Sequence, residues 1–278
     1  MIPALALLLA AAPVQAGTPA QASAPAQAGP ADNRSPGARF DDCVKKTDSD
    51  PAAAQQIAIA WAGTGGGTLA AQCLGLARSA LNDWKGAADA FSAAADIAQK
   101  MNDRHASDLW VSAGNAALAD GDTLRARDFL SKGIADPDLS GQLKGEALLD
   151  RARADVAAND LASARSDMND ALALVPGDPM AWLLSATPAR RMGDGNRAAD
   201  DIKEAMSRAP EQADIVYEAG NIAATNGDIA GARLQWSHAV NLDPNSGAGR
   251  SALAELKATG DDAAAAGASP QKPASGGR

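Results

Sequence analysis

Small and apolar residues recur along this chain in one repeating frame, punctuated by a two-residue polar turn. The turn occurs five times, as Asn82-Asp83, Gly121-Asp122, Asn159-Asp160, Gly193-Asp194 and Gly227-Asp228. Four residues past each Asp stands an alanine: Ala87, Ala126, Ala164, Ala198 and Ala232. A large apolar residue follows four further on: Phe91, Leu130, Met168, Ile202 and Trp236. From Asp83 the steps between turns are 39, 38, 34 and 34 residues. Gly and Asn tolerate the left-handed conformation that ends a helix. Asp can cap the next helix by accepting one of its free N–H groups. The pattern therefore predicts helix-turn-helix units, and a period near 34 predicts that they stack as an all-α solenoid.

Aligning the turns places five units at 68–101, 107–140, 145–178, 179–212 and 213–246. Two short insertions, Asn102 to Ala106 and Gly141 to Lys144, account for the longer first steps. Upstream, 39–67 reads as a helical cap. Arg39 to Lys46 forms one short stretch, and Asp50-Pro51 then supplies an N-cap with Pro at the first helical position. That second helix runs to about Ala62 and is broken by Gly63-Thr64-Gly65-Gly66-Gly67. Those glycines lack the strand-turn-helix setting and the Lys of a phosphate loop, so they read as a turn. Downstream, 247–258 is a capping helix with Leu253 and Leu256 beside Arg250, Glu255 and Lys257.

Composition narrows the function. The chain is rich in Ala, a strong helix former, and only 3% aromatic, which suits thin repeats better than a bulky core. The net charge is −9 and no basic run occurs. That argues against nucleic acid, whose affinity comes largely from cationic contacts to phosphate, and against docking on anionic lipid. The N-terminus resembles an export leader. Ala4 to Ala12 is apolar but too short to span a bilayer. Val14-Gln15-Ala16 offers the small residues of a peptidase site, with cleavage between Ala16 and Gly17. No Lys or Arg precedes the apolar run. The expectation is a signal peptide over 1–16 and an exported, periplasmic chain with no membrane insertion after its removal. The Ala/Pro/Gln segment 17–38 and the tail 259–278 cannot bury enough apolar area to offset ordering, and are expected to be disordered.

In this frame the sequence resembles the tetratricopeptide-repeat family over about 68–246. Position 8 of that family is small; here it is Gly75, Gly114, Ala152, Ala186 and Gly220. Position 20 is the Ala column and position 24 the large apolar column. Position 27 is small: Ala94, Gly133, Ala171, Ala205 and Ala239. Position 32 is Pro in the last three units (Pro176, Pro210, Pro244), and Trp110 and Trp182 supply the aromatic of position 4. Position 11, usually Tyr, departs: Arg78, Ala117, Asp155, Ala189 and Ala223. The first two units also lack the terminal Pro.

The resemblance implies a right-handed superhelical solenoid whose first helices line a concave groove through positions 2, 5, 6, 9, 12 and 13. In this chain those positions include Asp108, Asn115, Glu146, Asp150, Arg153, Asp214, Tyr217, Glu218 and Asn221. Some members clamp a C-terminal carboxylate with Lys, Asn and Arg. Here Asn115 and Asn221 occupy position 9, but Val111 and Tyr217 stand where the paired Lys would be. The implied groove is mildly acidic and suits an extended peptide with basic or polar side chains. Arg190 and Arg191 form a local basic pair, preceded by Pro188, which is expected to kink or shorten its helix.

Candidate chemistry is sparse. Cys43 and Cys73 read as a disulfide in an exported chain, fastening the N-terminal cap to the first unit. A catalytic thiol would need a base, and the only histidines are His105 and His238. They are far apart and give no metal-ligand pair at helical spacing. No Gly-x-Ser-x-Gly elbow occurs, and the many carboxylates read as solvated helix faces. No catalytic, cofactor-binding or metal-binding residue is predicted. The expected function is a non-catalytic scaffold for protein–protein interaction in periplasmic or cell-envelope assembly. Two alternatives are a self-associating structural solenoid and a cell-wall (peptidoglycan) contacting module.

Overall fold

The computed structural model describes residues 34–267. The expected leader 1–16 and all but the last few residues of the expected linker lie outside the described residues. Within them, thirteen helices follow one another: α1 (Pro36–Ser49), α2 (Pro51–Gly63), α3 (Gly67–Ala80), α4 (Trp84–Lys100), α5 (Ala106–Asp120), α6 (Thr123–Ala135), α7 (Gly141–Ala157), α8 (Leu161–Leu174), α9 (Pro179–Arg191), α10 (Gly195–Arg208), α11 (Ala213–Thr225), α12 (Ile229–Leu242) and α13 (Gly247–Gly267).

The five polar turns are built alike. Asn82, Gly121, Asn159, Gly193 and Gly227 all adopt positive φ, between 58° and 84°. The Asp that follows donates its backbone N–H to the position-11 carbonyl, five residues before it, at 2.8–2.9 Å in each unit. Its carboxylate accepts the N–H three residues on: Gly86, Arg125, Ser163, Arg197 and Gly231. One residue thus satisfies a C-terminal carbonyl of the first helix and an N-terminal amide of the second. Position 11 serves this turn through its main chain, so its side chain is free to depart from the family's Tyr. Asp122→Ala should lower stability by about 1 kcal/mol, whereas Asp122→Asn, which still caps, should stay close to wild type in urea denaturation.

Packing explains the small columns. All five position-20 alanines are fully buried, as are the alanines of position 27. Position 8 faces position 24 across each helix pair. A Cβ added to Gly75 would come within 2.6 Å of the Phe91 ring, and one on Gly114 within 2.5 Å of Leu130; at Gly220 it would collide with Trp236. Where position 24 is Met168 or Ile202, position 8 is Ala152 or Ala186, in the same buried clusters. The ring or branched side chain occupies space that the absent or small Cβ leaves, at the density typical of interiors.

Each helix packs on the next along the chain. The first helices also touch across units: α5 on α7, α7 on α9, α9 on α11 and α11 on α13. Among the described residues the second helices, α4 to α12 in even steps, make no comparable row of contacts. The first helices therefore form the inner side of the array.

At the ends the structure departs from the sequence-based boundaries. Ser35 caps α1 and Pro36 begins it, so the last residues assigned to the linker are helical, and α1 runs on to Ser49. Asp50 caps α2 through the Ala53 N–H. Gly141 to Lys144, between the second and third units, forms the first turn of α7. α13 continues to Gly267, nine residues past the expected end at 258. The alanine run 263–266 has the highest intrinsic helix propensity and carries the helix through what read as tail. α13 is tied to the last repeat by Arg233, whose Nη1 donates to the Leu256 carbonyl at 2.9 Å. Pro188 sits inside the last turn of α9, which ends at Arg191. Cys43 and Cys73 are joined in a disulfide between α1 and α3, with Cα atoms 6.2 Å apart.

Candidate functional site

Helical spacing gathers four of the predicted groove residues. Asp108 and Asn115 on α5 are two turns apart, and Glu146 and Asp150 on α7 one turn apart, so each pair presents one helix face. With Val111, Ser112, Leu139 and Leu143 they line one cavity of about 250 Å³ between the two helices. Leu143, 55% exposed, is an open apolar wall of it.

The charges in this cavity are only partly met by the protein itself. Asp150 accepts from Arg153 Nη1 at 3.0 Å. Burial holds its carboxyl above the ordinary carboxylate value of 3.8, and Arg153 and Asn115 oppose that rise. Glu146 accepts from the neutral amide of Gln142 at 2.8 Å. Among the described residues no Lys or Arg lies within ion-pair distance of it. Asp108 has only His105 Nδ1, at 3.7 Å. Because the folded-state pKa of Asp150 is raised, the folded chain holds a proton that the unfolded chain has released in the window just above pH 3.8. Stability therefore falls as pH rises through that window. Asp150→Asn should remove this fall, so that its Tm rises relative to wild type as pH is raised above 3.8.

One unit further along, Arg153, Val156 and Ala157 of α7 and Leu184, Thr187, Pro188 and Arg191 of α9 line a second cavity, of about 430 Å³. Its floor is apolar and its charges are positive. Arg191 donates to the amide oxygen of Asn159 at 3.1 Å, and no carboxylate pairs with it among the described residues. A third cavity of about 270 Å³, between α3 and α5, includes Thr68, Gln72, His105 and Asp108.

The inner row thus changes sign along its length, within a groove that the sequence implied to be mildly acidic. The candidates on α11 are placed differently from what the resemblance implied. Glu218 is buried, 6% exposed, and accepts two hydrogen bonds from Arg190, from Nε at 2.8 Å and Nη2 at 3.3 Å. Asn221 donates to Glu218 and accepts from Trp236 Nε1 at 3.0 Å. These two hold α9, α11 and α12 together instead of facing a ligand. Asp214 is exposed and Tyr217 packs beside the Trp236 cluster; neither lines the cavities described. The basic pair divides, with Arg190 spent on Glu218 and Arg191 left at the groove.

Carboxylates expected to be solvated are instead buried at four places: Asp155, Asp167, Asp201 and Glu218. Arg151 grips Asp167 with two hydrogen bonds of 2.7 Å and also donates to Ser131. Arg127 approaches Asp155 at 2.5 Å and Asp160 at 3.0 Å. The first is an ion-pair contact without hydrogen-bond alignment. Burial pushes the Asp155 carboxyl up, against the pull of Arg127. Ser185 donates to Asp201 at 2.6 Å, and Arg197 completes that cluster. The positions of Arg151 and Ser185 (7) and of Asp167 and Asp201 (23) adjoin the packing columns 8 and 24. Complementary polarity in neighbouring columns was the signal for them.

Among the described residues no group of three His, Cys, Asp or Glu is placed to hold a metal ion, and no helix is long and apolar enough to cross a membrane. No family model and no curated protein matches the chain. Solved structures do. PilW, a widely conserved type IV pilus biogenesis factor, aligns over 80% of this chain and 100% of its own, at 18% identity and a TM-score of 0.65. Pseudomonas aeruginosa pilF aligns over 79% and 99%, at 13% identity and a TM-score of 0.61. YrrB, a TPR protein with an unusual peptide-binding site, aligns over 78% and 97%, at 16% identity and a TM-score of 0.53. At these identities the likeness is one of fold.

Proposed function

We propose that this tetratricopeptide-repeat solenoid is a non-catalytic scaffold that holds an extended segment of another protein along α5, α7 and α9. One observation carries the reading: two cavities stand in tandem on the inner row, and each has a charge the protein leaves uncompensated. Arg127, Arg151, Arg190 and Arg197 each meet a carboxylate inside the solenoid. Among the described residues Glu146 and Arg191, at the cavities, have no ion-pair partner. At 250 and 430 Å³ the cavities lie below and in the lower part of the range of small-molecule pockets, about 300–1,000 Å³. YrrB, of the same fold, is described by its peptide-binding site.

The setting we propose is the cell envelope, after export to the periplasm. Support comes from the leader-like N-terminus and from a disulfide, which persists in oxidising compartments. The pilus biogenesis role printed for PilW accords with it. The test is capture of partners from envelope extracts by wild type and by the double variant Glu146→Lys/Arg191→Glu. Both residues are exposed and neither holds a buried pair, so helicity and Tm should be unchanged. The double variant should lose the partners that wild type retains. An identical set of captured proteins would move the binding surface elsewhere.

A further inference from the structure

We infer that the groove selects a charge-separated extended segment, with a basic side chain in the α5–α7 cavity. Roughly five residues along lies an aliphatic side chain next to an acidic one, in the α7–α9 cavity. The inference rests on the groove reading above and names the chemistry of its partner.

The sign change carries it. Asp108, Glu146 and Asp150 make the first cavity negative, and Leu143 and Val111 offer contact to the methylene stem of a Lys or Arg. The second cavity presents Val156, Leu184 and Pro188 as its floor with Arg153 and Arg191 at its edge. A branched aliphatic side chain fits that floor, and a neighbouring carboxylate would meet the guanidinium forks. Arg153 belongs to both sites: it lines the second cavity while its Nη1 bonds Asp150 of the first. α7 is shared, but the first cavity lies near Glu146 and the second near Val156, so they are one helix-to-helix step apart across the array and about 15 Å apart along α7. Packed helices are spaced about 8–10 Å, and an extended chain advances about 3.3 Å per residue. Together the two offsets come to about 17 Å, which sets a separation of about five residues. A segment of single sign would satisfy one cavity and be repelled by the other, so the groove rejects as well as attracts.

Three fluorescent peptides test this, each blocked at both ends so that no terminal charge contributes. One places Lys, four Gly/Ser spacers, then Leu-Glu between Gly/Ser flanks. The second has Lys in place of the Glu, and the third Glu in place of the Lys. Anisotropy at low and physiological salt should rank the charge-separated peptide roughly tenfold tighter than either other. Arg191→Glu should shift the preference to the all-basic peptide, and Glu146→Lys to the all-acidic one. Equal binding of the three, a ranking that the variants leave unchanged, or no binding by any would overturn the inference. The capture experiment with the double variant decides the groove reading separately: partners lost there with no peptide preference here would leave the groove and remove the charge rule.

Discussion

Trp236→Ala should lower stability by about 3–5 kcal/mol, the range for removing a large buried aromatic. Trp236 is 3% exposed and fills the space against Gly220, whose missing Cβ makes room for the indole. Val216, Ala232, Ala239 and Ala252 share its buried cluster, with Tyr217 and Leu256 among the residues packed against it. The alanines and Gly220 cannot swell into the space that truncation would leave. The indole N–H also satisfies the Asn221 carbonyl oxygen, and Asn221 in turn bonds Glu218. The loss therefore reaches the ion pair that ties α11 to α9. Repeats exchange energy mainly with their neighbours, so the damage should be local. Hydrogen exchange should accelerate in α11, α12 and α13 while α3 to α6 keep wild-type protection. Uniform acceleration along the chain, or none, would contradict this packing.

Reduction of the Cys43–Cys73 bond should have an effect of similar size at the other end. The bond closes a loop of 30 residues. In the chain-entropy account, such a loop restricts the unfolded state by about 3–4 kcal/mol. Both sulfurs are buried, with Ala54, Ala58 and Ala77 around them, and α1 packs on both α2 and α3. Tm should fall on adding a reductant, and the Cys43→Ser/Cys73→Ser variant should match the reduced protein and no longer respond to reductant. Tm unaffected by reductant would show that the helical cap is held by its packing alone.

How far the sequence revealed this molecule depends on whether a feature repeats. The Gly/Asn-Asp turns are read from two residues because the left-handed position and the carboxylate cap each demand a narrow set of side chains. The size match between Gly75 and Phe91, or Ala152 and Met168, is likewise visible once the frame is set. Features that occur once had no frame to reveal them. Asp155 read as a departure from a Tyr column, and only the structure brings Arg127 of the preceding unit to it. Glu218 shares a groove position with Asp150, yet the length of Arg190 on the neighbouring helix draws it inward. Arg191 was visible only as half of a basic pair, because its neighbour's partner lies 28 residues away. The end of α13 was misplaced because its alanine run lies beyond the last repeat, where intrinsic propensity alone decides.

The account turns on the inner row being the binding surface. Site-specific photocrosslinking in living cells measures that directly. A photoreactive residue at Ser112, Leu143 or Thr187, on the groove, is compared with one at Leu124 or Leu234, which are 75% and 72% exposed on second helices. Adducts to a discrete partner should form from the three groove positions and not from the two outer ones. Adducts confined to Leu124 and Leu234 would place recognition on the outer face and contradict the account.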